Sequence, residues 1–554
     1  MNKLGIRLLQ SLGNRLRTRF SYVGLAFGTL FFCASVTPSL LPREFIVQGI
    51  ESGFALAIGY GVGVFFVWLA QLFEVPQLPP TWQRMSKRVI SGCVGVIVVV
   101  TLYRATVWQN SIRELMEMAP LETVYAPYVV LIAVFWAWLL VMAARLVGMG
   151  HGVVDRKLKL YLPPRVSNLL SIFIVIVIVF TVTNRLVIRQ LLNAANQAFL
   201  EIDQRVDDGM DPPADVLASG SAASLIDWDT IGRQGKNFIL SGPSAEEIQG
   251  FLGRPAKHPI RVYVGLGAFD TPEERAQLAL DELIRAGGFD RSILVVANPT
   301  GTGWLQPEAV DTLEYLHAGD TAIVSMQYSY LPSWMTILVD TEGSRISARA
   351  LFSKVYQYWR GIPEEDRPDL YLHGLSLGAF GSEVCADLFT LFEDPIQGGV
   401  WSGPPFPSSH WRQITRDRNP GSPAWLPTFR DGRMVRFTAR ENALPREGES
   451  WGAMRYVYIQ HASDPMTFFS PELLYEKPAW LQGERGPDVS PYLTWYPVIT
   501  CLQIAFDLPL ATSVPPGYGH NIAAPSYIDA WYDVTQPSDW NSADLEGLKE
   551  HFAE

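Results

Sequence analysis

The sequence predicts a chain in two parts: an all-α transmembrane module, then an α/β domain with a mostly parallel sheet and helices on both faces. Two observations support this. Long apolar runs are concentrated before residue 190, although the mean hydropathy of the whole chain is only +0.11. After about residue 259, short runs rich in Val and Ile alternate with helical stretches. We therefore predict a membrane module at 1–190, a partly ordered linker at 191–258 and an α/β domain at 259–554.

The membrane module contains five apolar runs long enough to cross a bilayer, which takes about 20 helical residues. We place these spans at about 20–41, 52–73, 89–108, 127–148 and 166–188. Only Arg104 lies well inside one of them, near an end from which its side chain can reach the interface. The glycines at 59, 61 and 63 fall in the second span, where small residues favour close helix packing.

The distribution of Lys and Arg between the spans predicts their orientation. The second and fourth connections between spans are rich in Lys and Arg. The first has Arg43 as its only basic residue, and the third has only Arg113. The N-terminal tail is also basic and carries Lys3, Arg7, Arg15, Arg17 and Arg19. Because basic segments remain in the cytoplasm, we expect a multi-pass protein of the cytoplasmic (inner) membrane with a cytoplasmic N-terminus. An odd number of spans then leaves the C-terminal half extracytoplasmic, in the periplasm.

Charge and cysteine content exclude several classes of protein. A net charge of -11 argues against a nucleic-acid binder, which would carry a basic face. The four cysteines include no CxxC spacing, so neither a zinc site nor a disulfide framework is indicated. We expect Cys385 and Cys501 to be buried apolar thiols, with a bridge between them as the alternative. No cofactor and no metal are predicted.

A candidate nucleophile follows the fourth strand of the α/β pattern. The predicted strands are IRVYVGLG (260–267), RSILVVANP (291–299), TAIVSMQYSY (321–330) and DLYLHG (369–374). The last runs directly into Gly374-Leu375-Ser376-Leu377-Gly378, and the helical stretch AFGSEVCADLFTLF comes next. This strand-turn-helix context is typical of a nucleophile elbow, in which glycines permit a tight turn that exposes the serine hydroxyl. The accident of a serine between two glycines is the weaker interpretation.

A catalytic serine needs a base and an acid, which in this kind of fold follow it in the order acid, then histidine. His520 closes the Gly/Pro loop VPPGYGHN and is our candidate base, while Asp464 follows the strand in MRYVYIQHASDP and is our candidate acid. His461 competes as base but precedes the acid. For the oxyanion we expect the backbone N–H of Leu377 and a second donor, Thr300 or Gly301, from the loop TGTGW.

Several segments then resemble a known family. RVYVGL, GGFDRSILVVANPTGTGW, GDTAIVSMQYSYLPSW, GLSLGAFGSE, WSGPP, HASDP and PGYGHN are similar to bacterial membrane-anchored α/β-hydrolases, which join a multispan N-terminal module to an extracytoplasmic catalytic domain. The resemblance covers nearly the whole chain and implies a serine-hydrolase fold with Ser376 as nucleophile. One departure is the helix between the first two strands, where an antiparallel pair is usual in hydrolases.

The sequence thus predicts a membrane-embedded serine hydrolase or acyltransferase that acts on a lipid or envelope-derived acyl substrate. It specifies neither the acyl donor and acceptor nor an oligomeric state. Two rivals stay open: a transporter, disfavoured by the few charges within the spans, and a catalytically silent interaction protein. We also expect the spans and the linker to present an acyl chain to the site. A detached domain, 256–554, should then keep near-normal turnover of a short soluble ester but lose most activity on the native lipid.

Overall fold

The computed structural model describes residues 20–76, 78–121, 125–184, 189–205, 210–339, 341–387, 394–445 and 450–553. These residues form two compact units. The helical unit contains the chain up to Ala194 together with Pro471–Lys477 and Ser490–Asp507, and the sheet unit contains Ala195–Ser470, Pro478–Val489 and Leu508–Glu554. The basic N-terminal tail and the last residues of the fifth predicted span lie outside the described residues.

Long apolar helices make up most of the helical unit. They are α1 (Tyr22–Ser35), α2 (Phe45–Leu72), α3 (Pro80–Leu115), α4 (Tyr125–Leu158) and α5 (Pro164–Val182), followed by α6 (Arg189–Asp203). Among the described residues four helices, α2 to α5, are long and apolar enough to cross a membrane. The first predicted span instead contains a helix of 14 residues, α1, which ends just before the Thr-Pro at 37–38. Five spans therefore remain a prediction.

Two of the three glycines in the second span pack against α1. A Cβ at Gly63 would lie 2.7 Å from the carbonyl oxygen of Val23, and one at Gly59 would lie 2.6 Å from the ring of Phe31. The close approach of α1 and α2 therefore depends on these small residues. Gly61 is different, because a Cβ there would meet no atom within 4 Å.

A buried polar network also belongs to the helical unit. The Arg43 guanidinium, 1% exposed, donates from Nε to Asp507 Oδ1 at 2.7 Å and from an Nη to the carbonyl of Gln503 at 2.5 Å. Asp507 also accepts from Ser39 Oγ at 2.5 Å. Glu51, fully buried within α2, lies 3.7 Å from the same guanidinium. The connection between α1 and α2 is thus tied to residues near the end of the sequence.

The segment predicted as a linker, 191–258, includes helical stretches. It contains α7 (Gly232–Leu240) and α8 (Ala245–Leu252), and Trp228, Ile231 and Phe238 are buried. The remaining helices are α9 (Pro272–Arg285), α10 (Pro307–Leu316), α11 (Ser333–Val339), α12 (Glu342–Arg360), α13 (Leu377–Ser382), α14 (Ser409–Arg416), α15 (Pro465–Phe468), α16 (Ile499–Asp507), α17 (Ala524–Thr535) and α18 (Ser542–His551).

The sheet unit is built on a parallel sheet of seven strands. In chain order they are β1 (Ile260–Val264), β2 (Ile293–Asn298), β3 (Thr321–Met326), β4 (Asp369–Leu375), β5 (Gly398–Ser402), β6 (Val435–Thr438) and β7 (Arg455–Ile459). Their order across the sheet is β1-β3-β2-β4-β5-β7-β6, and every pair is parallel. The central strand, β4, therefore carries the candidate nucleophile at its C-terminal end, where ligands bind in open parallel sheets.

Candidate active site

Ser376 occupies a sharp turn between β4 and α13. Its backbone φ is 58° and ψ is -125°, a strained combination for a residue with a side chain, and its N–H donates to the carbonyl of Ser402 on β5 at 2.9 Å. The predicted helix after the serine is shorter than expected: α13 ends at Ser382, a 3₁₀ turn covers Glu383–Cys385, and residues 388–393 lie outside the described residues. Strand, turn and helix nonetheless follow one another as in a nucleophile elbow.

The two glycines that flank the serine allow this turn. A Cβ at Gly374 would collide with the backbone of Gly378, and a Cβ at Gly378 would collide with the carbonyl of Asn298 at the end of β2. The same Cβ would lie 2.9 Å from the carbonyl oxygen of Pro299. The start of the TGTGW loop therefore packs directly on the first turn of α13.

Asp464 and His520 form a hydrogen-bonded pair. Asp464 Oδ2 lies 2.7 Å from His520 Nδ1, and the two side chains are 0% and 6% exposed. The carboxylate is fixed at the start of α15, since its Oδ1 accepts the N–H of Met466 at 2.8 Å and its Oδ2 accepts the hydroxyl of Thr467 at 3.1 Å. When the proton of this hydrogen bond is on Nδ1, the Nε2 atom of His520 carries a lone pair that can accept a proton.

Ser376 and His520 line the same cavity, of about 320 Å³. Among the described residues, neither Ser376 Oγ nor His520 Nε2 has a hydrogen-bond partner, although both atoms are buried. Much of the wall is apolar, formed by Trp304, Trp334, Met466 and other side chains. The arrangement thus provides an uncommitted hydroxyl, an uncommitted base and an apolar surface beside them.

Comparison with family models shows the family to which the chain belongs. Residues 260–548, more than half of the chain, match the model of an alpha/beta-hydrolase family, and residues 36–243 match the model of that family's N-terminus. The chain belongs to this α/β-hydrolase family. No curated protein and no solved structure matches the hydrolase significantly. The fold and the hydrolase-type enzyme class predicted from sequence are therefore confirmed.

In the hydrolase, His461 contacts the loop that carries His520. Its Nδ1 donates to the carbonyl of Gly519 at 2.9 Å, and burial lowers the pKa of the imidazole. The N–H of Gly519 in turn donates to Ser463 Oγ at 2.9 Å, and that hydroxyl donates to Asp488 at 2.5 Å. Ser463 and Asp488 were not singled out from the sequence; Ser463 lies inside HASDP, and Asp488 is 25 positions further along the chain.

Gly403, just after β5, lies against the imidazole of His520. Gly403, in the segment WSGPP, has φ +49°, and a Cβ there would collide with the imidazole of His520. The left-handed backbone and the close approach of the ring both require glycine at this position.

The predicted oxyanion donors of the hydrolase differ in their hydrogen bonding. Leu377 is the first residue of α13, so its N–H has no partner carbonyl within that helix. The N–H of Thr300 donates to the carbonyl of Trp304 at 3.0 Å, and the N–H of Gly301 donates to Ser333 Oγ at 3.1 Å. Both of these N–H groups are engaged within the protein, and neither is available to a substrate in this arrangement.

The thiols of the hydrolase are not paired. Cys385 and Cys501 are both free and buried, as the apolar interpretation expects, and burial raises the pKa of the Cys385 thiol to about 12. A thiol held in this protonated form is a poor nucleophile, so these residues do not compete with Ser376.

Proposed function

We propose that the protein is a membrane-embedded serine hydrolase or acyltransferase with Ser376 as nucleophile, His520 as base and Asp464 as its orienting acid. The observation that carries the proposal is the cavity shared by Ser376 Oγ and His520 Nε2, both without a hydrogen-bond partner among the described residues, with Asp464 2.7 Å from the far side of the imidazole. The membership of the α/β-hydrolase family supports it.

The proposed reaction begins when Ser376 Oγ attacks an ester carbonyl carbon. The hydroxyl proton passes to His520 Nε2, the carbonyl electron pair moves to oxygen, and Asp464 stabilises the imidazolium. Collapse of the tetrahedral intermediate expels the leaving alcohol, which takes that proton, and an acyl-enzyme remains. Water or an acceptor alcohol, deprotonated by His520, then releases the acyl group.

A lipid or envelope-derived acyl group is the substrate class we propose. Two observations favour it: the cavity has Trp304, Trp334 and Met466 in its wall, and the same chain carries four helices able to cross a membrane. The Lys and Arg distribution favours an extracytoplasmic site facing the outer leaflet of the cytoplasmic membrane.

Labelling of the full-length protein by a fluorophosphonate probe tests the nucleophile. We expect one modified residue, Ser376, and no labelling of Ser376→Ala. Ser219→Ala is a matched control, because Ser219 is also buried with a hydroxyl that has no partner among the described residues. Labelling of the Ser376→Ala variant at wild-type level would refute the proposal and leave the silent interaction protein as the better interpretation.

A further inference from the structure

The helical unit contains a groove that the proposed chemistry does not use. Helices α2 and α4 pack tightly where a Cβ at Gly49 would lie 2.6 Å from Ile132, and one at Gly53 would lie 2.6 Å from Trp136. Elsewhere on α2 the surface is open: a Cβ at Gly61 would meet no atom within 4 Å, and Gly61 borders a cavity of about 650 Å³. The space persists because residue 61 has no side chain to fill it.

The lining of this groove is apolar except near one end. Phe54, Ile58 and Leu140 form part of the apolar wall. Near the C-terminal end, Arg145 is the one charged residue that lines the cavity among those described, and its guanidinium lies 4.4 Å from the centre of the Phe20 ring. The hydroxyl of Tyr60 is close by and accepts the N–H of Ser21 at 3.3 Å.

We propose that this groove binds one anionic glycerophospholipid, with an acyl chain along the apolar wall and the phosphate at Arg145. A guanidinium presents donors in a geometry that matches phosphate oxygens, and no carboxylate among the described lining residues opposes an anion. The basic end of α4, with Arg156 and Lys157, follows Arg145 and belongs to the predicted cytoplasmic side. The lipid therefore comes from the inner leaflet and is not the substrate.

Native mass spectrometry of the full-length protein from bilayers of equal phosphatidylglycerol and phosphatidylethanolamine tests this site. We expect the wild type to retain one lipid, mostly phosphatidylglycerol. Arg145→Gln should lose the preference at least several-fold, and Gly61→Leu should retain neither lipid. The matched controls are Arg104→Gln and Gly92→Leu, since a Cβ at Gly92 would also meet no atom within 4 Å but Gly92 does not line the groove.

Wild-type selectivity in Arg145→Gln would overturn the lipid site. So would a wild type that retains no lipid, as expected if detergent or the N-terminal segment occupies the groove. Because Gly61→Leu can fail by misfolding, its thermal stability is compared with that of Gly92→Leu, and Arg145→Gln provides an independent test.

A separate observation, the hydrogen bonding of the TGTGW loop, identifies a further catalytic group if the proposed function holds. The backbone donors at 300 and 301 are engaged with Trp304 and Ser333, and Pro299 has no N–H to offer. The Thr300 side chain lines the cavity with Ser376 and is 8% exposed. The contact of Gly378 with the backbone of Asn298 and Pro299 holds Thr300 next to the first turn of α13.

We infer that the Thr300 hydroxyl, and not the backbone N–H of residue 300 or 301, is the second donor to the oxyanion. Its oxygen lies 3.4 Å from the Thr302 hydroxyl, which can accept no more than a weak bond at that distance. A hydroxyl can rotate toward the oxyanion as negative charge develops there, so its stabilisation increases in the transition state.

Three variants test this role in full-length enzyme with a soluble ester. Thr300→Val keeps the shape and removes the hydroxyl, so we expect kcat to fall by about 10²–10³ with little change in KM. Thr300→Ser should restore most of kcat, and Thr302→Val should stay within a few-fold of wild type.

A normal kcat in Thr300→Val, or a loss confined to Thr302→Val or Ser333→Ala, would overturn the inference. An inactive Ser376→Ala in the same assay separates this outcome from failure of the proposed function, because active Ser376→Ala would refute both.

Discussion

The two histidines near the site have different surroundings, and this difference makes a prediction at the scale of single residues. His520 contacts Asp464 and faces the cavity, whereas His461 donates to the carbonyl of Gly519. We expect His520→Ala to lower kcat by several orders of magnitude without reaching the uncatalysed rate, because oxyanion stabilisation remains. His461→Gln, which can still donate to that carbonyl, should retain most activity. Full activity in His520→Ala would show that His520 is not the base.

The buried carboxylate of Glu383, at the C-terminal end of α13, predicts a pH dependence of stability. Burial raises the pKa of Glu383 from 4.5 to about 7, against the opposing effect of hydrogen bonds from the Tyr458 hydroxyl and the N–H groups of His410 and Trp411. Between these values the folded protein keeps a proton that the unfolded chain loses, so stability falls as pH rises from about 4.5 to 7.

Glu383→Gln removes this titration while retaining an acceptor oxygen. We expect the free energy of unfolding of the wild type, relative to the variant, to decline between pH 5 and pH 7 by at most about 1.4 kcal/mol per pH unit and then to level off. The melting temperatures of the two proteins should follow the same course. Parallel pH profiles for the two proteins would contradict the assignment.

The three proposed catalytic residues were accessible from sequence because Ser376 and Asp464 each follow a β-rich run, His520 closes a Gly/Pro loop, and their order is that of a hydrolase. The supporting residues were not. Ser463 and Asp488 act through a hydrogen bond between positions 25 apart, and no local pattern predicts such a pairing. The engagement of the N–H groups at 300 and 301 was equally inaccessible, since it depends on the path of a loop and on Ser333.

At the scale of elements, the packing of α1 on α2 predicts a specific sensitivity. A leucine at Gly63 would collide with the backbone of Val23 and Gly24, so the two helices would have to separate. We expect Gly63→Leu to destabilise the protein by about 1–3 kcal/mol, measured as a lower melting temperature in detergent. Gly95→Leu is the control, because a Cβ there meets no atom within 4 Å, and equal losses would refute the packing role.

Buried strands were predicted to within a few residues because runs of Val, Ile and Leu between turn signals leave few alternatives. β2, for example, covers Ile293–Asn298 within the predicted 291–299. The order of the strands across the sheet was not predicted, since pairing depends on contacts distant in sequence. The length of the first apolar helix was overestimated, because hydropathy averages over the Thr-Pro at 37–38 that follows α1.

For the whole molecule, the positive-inside pattern predicts sidedness. A reporter active only outside the cytoplasm should be active when fused after residue 200 and silent when fused near residue 157. Because α1 is short, this experiment also tests whether the number of crossings is odd. The reverse pattern would move the site to the cytoplasmic side and remove the outer-leaflet substrate from the proposal.

The structure also changes what a detached α/β domain should do. The segments Pro471–Lys477 and Ser490–Asp507 belong to the helical unit, so a fragment 256–554 would lose the partners of both. The structure therefore gives a reason why this fragment could be less stable than the full chain, and its near-normal turnover of a short ester stays a prediction. The sequence alone could not indicate this, because the run YPVITCLQIAF looks like any apolar element of the second half.

Removing the Arg43 charge tests how far its ion pair with Asp507 stabilises the helical unit. Arg43→Leu leaves Asp507 and Glu51 without their cation, which typically costs about 3–5 kcal/mol, so we expect a large drop in melting temperature. The double variant Arg43→Leu with Asp507→Asn should recover part of the loss. Arg104→Leu, on an exposed arginine of the same unit, is the control, and a stable Arg43→Leu would contradict the role of the pair.

The Arg43–Asp507 pair has a consequence for biosynthesis. The two residues are 464 positions apart, and a ribosome adding roughly 5–20 residues per second needs about half a minute to a minute and a half between them. During that interval the Arg43 guanidinium has Gln48 and Glu51 as polar partners but lacks Asp507. Chains that end before residue 507 would lack the carboxylate nearest to the Arg43 guanidinium, so we expect such chains to be less stable than the complete chain.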